Sequence, residues 1–333
     1  MMHKVVSSFL QTMDLASTTD LVEATYVPII NGSAAALFRF DVKDRSYVLR
    51  ILPPQASHIT RTHEVLLAQR AGEVGIGPKI HFVAPHLEAF ITDFISGRTV
   101  NPLDFQNLSQ LGQFAQLLQK LHSSPGKIPV ACSPFQRFHN FLAKSEQRGL
   151  ILSPKLSEVK RLMEEIEEIF RLHDIPLVPC HLDLHSENIM LREKDFVVVD
   201  WVNGGLSNPY FDLATFAIFH GLNEFQTTAF LTTYFGQPPR ELEWSLFRVA
   251  QPLRLFVIAL GCLSMSSEGS TSYNDASLDS EVIPFRDYIY MPANEKLNLA
   301  LWKIGLMMLK AGLDQVDKKN FKNSLQYLHD NII

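Results

Sequence analysis

Four polar residues in one short stretch, His181, Asp183, Asn188 and Asp200, have side chains able to handle protons and hard cations. The stretch Pro179 to Asp200 reads P-C-H-L-D-L-H-S-E-N-I-M-L-R-E-K-D-F-V-V-V-D. Two apolar runs, Ile189-Met190-Leu191 and Phe196-Val197-Val198-Val199, flank Glu193-Lys194-Asp195, which is the pattern of a β-hairpin with a three-residue loop. With Lys194 at the loop centre, Arg192 faces Phe196, Leu191 faces Val197, and Asn188 faces Asp200. Residues opposite each other on paired strands hold their Cβ atoms about 5 Å apart. That register predicts an amide oxygen and a carboxylate converging beyond the open end of the hairpin. Two hard oxygen donors at one point suit Mg²⁺, which takes one or two protein oxygens and completes its shell with water and substrate phosphates. Asp183, five residues before Asn188 in a polar loop, can reach the same space and accept a proton from an attacking hydroxyl. His181 reads as a brace for this loop rather than as a base.

A second charge stands out upstream. Arg50 interrupts the otherwise apolar run Tyr47-Val48-Leu49-Arg50-Ile51, and a cation in such a place needs a partner. Residues 61–69 read as a helix whose Glu64 can be that partner.

The pattern His-x-Asp-x(4)-Asn, with Asp twelve residues further on, resembles the catalytic and metal-binding segments of the aminoglycoside phosphotransferase and choline kinase superfamily. The resemblance implies a protein-kinase-like fold in which Asp183 is the catalytic base, and Asn188 with Asp200 holds the Mg²⁺ of MgATP. It also implies that Arg50, paired with Glu64, is held against the α and β phosphates of ATP, and that Asp212, in the Asp-Leu-Ala after the hairpin, props the catalytic loop. The turn Asn31-Gly32-Ser33 would cover the ATP phosphates with backbone N–H groups, although it has one glycine where the family often has two. The segments L-T-T-Y-F-G, Glu243-Trp244 and Arg254-Leu255 resemble the C-terminal helices of bacterial choline/ethanolamine kinase-like proteins. One departure bears on the substrate. Many choline-kinase-like members place an acidic residue soon after the metal aspartate, and here Val202 and Asn203 follow Trp201.

Around these residues the pattern predicts an α+β chain of two lobes. Residues 1–95 would form a small antiparallel ATP-binding lobe with one helix, and 96–333 a larger, mainly helical catalytic and substrate-binding lobe. Strands are expected at 25–29, 35–42, 47–51, 79–83 and 90–95, with Ser96-Gly97 as the hinge. Leu108 to His122 has apolar residues at spacings of three and four. Residues 123–153 read as loop, and Ser153-Pro154 opens a helix as cap and first-turn proline. Further helices are expected at 223–235, 239–265 and 293–313, followed by a short terminal helix, and Ser266 to Glu281 reads as a polar loop.

Composition sets bounds. At 333 residues the chain is too long for one comfortable core. A net charge of −5 gives no basic field for nucleic acid, so any polyphosphate must be held by local cations. Three scattered cysteines, Cys132, Cys180 and Cys262, favour a reducing compartment. The N-terminal apolar run is too short for a signal peptide, and Leu255 to Leu263 is too short to span a bilayer, so a cytoplasmic location is expected.

The reading is a small-molecule kinase moving the γ-phosphoryl of ATP to a substrate hydroxyl, with a choline- or ethanolamine-like acceptor. Trp201, Tyr210, Trp244, Tyr288 and Trp302 are candidates for an aromatic wall around a quaternary ammonium. An aminoglycoside acceptor would use the acidic rim Glu268, Asp275, Asp279 and Glu281, and a thiamine-type acceptor stays open. Two other classes compete. One is a metal-dependent hydrolase with zinc on His181, Asp183 and His185, and the other is a kinase-like binding module without catalysis.

Overall fold

The computed structural model describes residues 5–9, 26–29, 35–124, 132–148, 153–266, 278 and 282–332. The chain forms two compact units. One comprises Met1–Val100, Leu117–Val130 and Ser186–Gly205, and the other Asn101–Gln116, Ala131–His185 and Leu206–Ile333.

The first unit contains an antiparallel sheet in the order β1-β2-β3-β5-β4, made of Val27–Ile29, Ala36–Val42, Arg45–Ile51, Ile80–Val83 (β4) and Ala89–Asp93 (β5). Alternation along β2 and β3 buries Phe40, Tyr47 and Leu49, and Phe9 packs edge-on against the Tyr47 ring with centroids 5.2 Å apart. Each such ring contributes roughly 1.5–3 kcal/mol on burial. The helix His58–Val74 starts where the Ser57 hydroxyl accepts the Thr60 N–H at 3.1 Å. It stops at Gly75, whose φ of 82° is the left-handed conformation that glycine adopts without a Cβ clash. This helix turns Glu64, Val65, Leu67, Ala68 and Ala71 inward.

The hairpin belongs to this same unit. Strand β6, Arg98–Thr99, pairs with β8, Ile189–Arg192, which pairs with β9, Asp195–Val198. Its register differs from the expected one by a single residue. Ile189 pairs with Val198 and Arg192 with Asp195, so the loop is the two residues Glu193-Lys194. Glu193 takes a left-handed φ of 54°, the sign that a tight two-residue hairpin requires. Asn188 therefore bonds to Val199, whose N–H reaches its carbonyl at 2.9 Å, and does not face Asp200. Beyond that bond the strand ends, because Asp200 is itself left-handed at φ 62°. One hydrogen bond ties the hairpin to the helix side of the unit, from the Val198 N–H to the Ile76 carbonyl at 2.6 Å, and Trp201 Nε1 folds back to donate to the Val198 carbonyl at 3.2 Å.

The second unit is mostly helical, with the short strand pair Val178–Cys180 (β7) and Gly205–Ser207 (β10). Residues 123–153, expected as loop, contain the helix Pro134–Gln147. Ser133 caps it, accepting the Gln136 N–H at 3.3 Å, and Phe135, Phe138 and Leu142 form its buried face. Ser153 caps Pro154–Leu172 in the expected way. The helix expected at 293–313 is divided into Ala293–Lys296 and Leu301–Val316, and the expected short terminal helix is Lys319–Asp330. Among the described residues, Glu241–Met265 is long and apolar enough to cross a membrane, but 78% of its most apolar window is buried, as in the core helix of a folded unit. Phe105, Phe114, Phe216 and Phe230 fill the space under the helix Pro209–Phe219, with Phe114 stacked on Phe216 at 4.4 Å. The Asn31-Gly32-Ser33 turn and the acidic rim Glu268, Asp275, Asp279 and Glu281 lie outside the described residues.

Candidate active site

Asp183 follows β7 in a loop whose backbone is pinned from the helix Pro209–Phe219. Asn208 caps that helix, accepting the Tyr210 N–H at 3.0 Å, and Asp212 lies in its first turn, where the helix dipole favours a carboxylate. Asp212 is fully buried and accepts the His181 N–H at 2.8 Å and the Leu182 N–H at 2.6 Å. The Asp183 N–H donates to His181 Nδ1 at 3.2 Å, so this ring nitrogen is an acceptor. His181 is wholly buried, which suits a brace. These bonds account for three successive amides and fix the backbone from which the Asp183 carboxylate projects. His185 Nε2 lies 3.5 Å from Asp183 Oδ2. A zinc set of His181, Asp183 and His185 fits poorly with a buried His181 whose Nδ1 is already used.

In the first unit, Arg50 sits between two carboxylates. Its Nε donates to Glu64 Oε1, and its Nη2 donates to Asp200 Oδ1 at 2.7 Å. The side chains of Arg50 and Glu64 are 8% and 3% exposed, and that of Asp200 19%. The pairing with Glu64 was legible from sequence, but the bond to Asp200 was not, because 150 residues separate the two. Burial pushes the Glu64 carboxyl above its ordinary pKa, the Arg50 cation opposes that shift, and the nearby Asp200 charge adds to it.

Asn188, buried at the end of the short helical turn Ser186–Asn188, and Asp200, one residue beyond the Asn188–Val199 bond, offer an amide oxygen and a carboxylate. Both carry hard oxygen donors at the open end of the hairpin, a donor type that suits Mg²⁺ and would not select a soft metal.

The aromatic candidates separate by burial. Trp201 and Tyr210 are core residues, Tyr210 with its hydroxyl pKa pushed up mainly by burial. Trp244 carries the Arg248 guanidinium at 4.8 Å, and Trp302 carries the Lys303 ammonium at 5.4 Å. Tyr288 belongs to a row that sequence reasoning did not assemble. Ring centroids run from His185 to Phe219 at 6.1 Å, to Phe285 at 5.7 Å and to Tyr288 at 6.4 Å. Phe219 and Phe285 were the missed members, since nothing in their local spacing sets them apart from core aromatics.

A strand arginine held by a helix glutamate, an aspartate loop anchored by Asp212 and a hairpin carrying Asn188 and Asp200 occur together in this one chain. The chain belongs to the phosphotransferase enzyme family, whose model matches residues 25–244, well over half its length. Among curated proteins it is similar to the protein LicA of Haemophilus influenzae, with 27% identity over 214 residues, which are 62% of each chain. The aligned part is thus less than two thirds of that relative. A probable ethanolamine kinase of Arabidopsis thaliana is 25% identical over 182 residues, 51% of this chain and 48% of the relative. In fold it is similar to a choline/ethanolamine kinase family protein of Mesorhizobium loti, with a TM-score of 0.70 and 20% identity, covering 98% of this chain and 100% of the other. The choline kinase LicA of Streptococcus pneumoniae gives a TM-score of 0.66 at 13% identity, covering 95% and 98%. These likenesses establish the kinase-like α+β fold.

Proposed function

We propose that this protein is an ATP- and Mg²⁺-dependent kinase that transfers the γ-phosphoryl group to the hydroxyl of a choline- or ethanolamine-like alcohol. The observation that carries the reading is Arg50, a buried strand cation held by Glu64 and joined to Asp200. A core gains little stability from such a set over apolar side chains, so its presence is best explained by a phosphate to be bound. In this reading residues 1–95 serve the nucleotide and 96–333 serve catalysis and the acceptor.

Each residue has a distinct task. Asp183 orients the acceptor hydroxyl and takes its proton, held by the loop bonds to Asp212 and His181. Arg50 binds the α and β phosphates through a fork that Glu64 keeps aligned. Asn188 and Asp200 would hold Mg²⁺, which supplies charge neutralisation at the β- and γ-phosphate oxygens. Such catalysis is mostly positioning and electrostatics, so rigid placement of these groups carries the rate.

The aromatic row that begins at His185, beside Asp183, supports a cationic acceptor, since ring faces attract ammonium groups. Relatives described as choline and ethanolamine kinases support the same class. The test is release of ADP from MgATP with choline, ethanolamine, thiamine and a kanamycin-type acceptor. Turnover with the first two supports the reading, and turnover only with thiamine or the aminoglycoside reassigns the acceptor. No turnover with any acceptor, with stoichiometric zinc in the purified protein, would favour the hydrolase.

A further inference from the structure

The helix Glu241–Met265 is apolar through its central part, yet it carries Arg254 there, 2% exposed. Arg254 Nε donates to Thr215 Oγ1 at 2.9 Å, and its Nη2 donates to the Leu182 carbonyl. Thr215 is fully buried, and its hydroxyl proton is committed to the Phe211 carbonyl at 2.6 Å, so it can only accept from the guanidinium. Arg254 Nη1 has no hydrogen-bond partner among the described residues. Burial, and then the neighbouring Arg137 cation, lower the Arg254 pKa to about 10, while the carboxylates of Asp183 and Asp212 oppose the shift. A methionine or leucine would fill this position without the cost of burying a charge. The cation therefore needs a reason beyond packing.

Leu182 supplies the reason. It is the residue immediately before Asp183, and its φ of 62° is left-handed, a conformation that costs a branched side chain roughly 1–2 kcal/mol. Its N–H is held by Asp212 and its carbonyl by Arg254, so both polar groups of the strained residue are fixed, from two different helices. Without the second bond, the peptide joining Leu182 to Asp183 is held only by the Asp183 N–H bond to His181 Nδ1 at 3.2 Å, and the strained turn can relax toward an ordinary conformation. That relaxation would swing the Asp183 carboxylate away from its aim.

We propose that Arg254 is a positioning residue for phosphoryl transfer: it clamps the Leu182 carbonyl, so that the left-handed turn directs Asp183 at the acceptor hydroxyl. It touches no substrate and acts through the loop. The proposal rests on the kinase reading for its effect on rate, but not for its effect on the loop.

Two variants and two readouts test it. Arg254→Lys keeps the charge but cannot bond Leu182 and Thr215 together in the same fork. Thr215→Val is close in shape and removes only the oxygen that aligns the guanidinium. Backbone hydrogen exchange is followed at residues 181–185 and, for reference, across β8 and β9. Exchange at 181–185 should quicken by tenfold or more in Arg254→Lys, and less in Thr215→Val, with the reference strands unchanged. In the same proteins kcat should fall about 10–100-fold for Arg254→Lys, with KM for ATP within twofold of wild type, as expected of a misplaced catalytic group. Faster exchange confined to the loop supports the clamp even if none of the four acceptors is turned over, in which case the kinase reading alone fails. Unchanged exchange at 181–185 overturns the proposal. So does faster exchange everywhere in both variants, which would make Arg254 a residue of the general fold.

Discussion

Arg50 Nη2 donates to Asp200 Oδ1 at 2.7 Å, joining the strand Arg45–Ile51, one residue from its end, to the carboxylate that follows the hairpin 150 residues later. With Glu64 on its other arm, Arg50 leaves two carboxylates balanced by one cation in a largely dry space. Removing the cation by Arg50→Met should cost about 3–5 kcal/mol, because Glu64 would stay buried without its partner. Denaturant unfolding of the two proteins measures this. A loss below 1 kcal/mol would mean that the pair is far better solvated than its burial indicates.

The same cluster gives a pH dependence with a definite sign. The folded-state pKa of Glu64 is raised, so between the ordinary glutamate pKa and the raised one the folded state holds more proton than the unfolded state. In that window the contribution of Glu64 to stability falls as pH rises, and it is most favourable below the ordinary value. Glu64→Gln has no proton to lose. The stability of wild type relative to Glu64→Gln should therefore decline as pH is raised through that window, read from unfolding midpoints in a pH series. A relative stability that climbs with pH would show that attraction to Arg50 outweighs burial.

Asp183→Asn and Asp200→Asn should both keep the fold and lose activity, but in different ways. Asp183→Asn removes the proton acceptor and should lower kcat about 10²–10⁴-fold with nucleotide binding intact. Asp200→Asn removes a charged metal ligand, so its loss should be partly recovered by raising Mg²⁺, whereas the loss in Asp183→Asn should not respond. Steady-state rates over a Mg²⁺ titration separate the two, and identical behaviour would undo the division of roles.

Much of this site was legible because isolated polar residues in apolar runs are costly and so informative. Arg50 with Glu64 and Asp183 with Asp212 could be paired from that argument and from the family pattern. The hairpin was visible too, but its register depended on one backbone angle at Glu193, which residue types fix poorly. The helix Pro134–Gln147 was hidden by the prolines and serines around it, although Ser133-Pro134 is the same cap-and-proline start as Ser153-Pro154. Arg254 satisfied the test that singled out Arg50, a lone cation in an apolar run. Its partners, a carbonyl and a hydroxyl far away in sequence, left no charge pattern to find. The aromatic row was illegible for a related reason, since its ring contacts join a loop residue, His185, to residues of two helices distant in sequence.

Gly97 offers a test of how closely β6 must approach the hairpin. A Cβ at this position would run into the carbonyl oxygen of Leu191, a backbone atom that cannot swing aside like a side-chain tip. Gly97→Ala should force β6 away from β8 and cost about 1–3 kcal/mol. The drop in melting temperature should come with weaker protection of the Val100 N–H, which bonds to Ile189 at 2.9 Å. An alanine variant as stable as wild type would mean that the strands separate at no cost.

The acceptor reading makes its own demand on the aromatic row. Phe285 and Tyr288 stack at 6.4 Å and are only partly buried, and the Lys296 ammonium already lies 5.1 Å from the Tyr288 ring centre. A face that attracts one ammonium group will attract another, so a quaternary ammonium acceptor would compete with Lys296 for Tyr288. Tyr288→Leu should therefore raise KM for choline about 5–30-fold, corresponding to the ~1–2 kcal/mol of a partly desolvated cation–π contact. It should leave KM for ATP and kcat near wild type, because a contact made equally in ground and transition states affects binding alone. Lys296→Met should act in the opposite sense and lower KM for choline by freeing the ring. If both variants leave the choline KM unchanged, the row is packing and the ammonium group is recognised elsewhere.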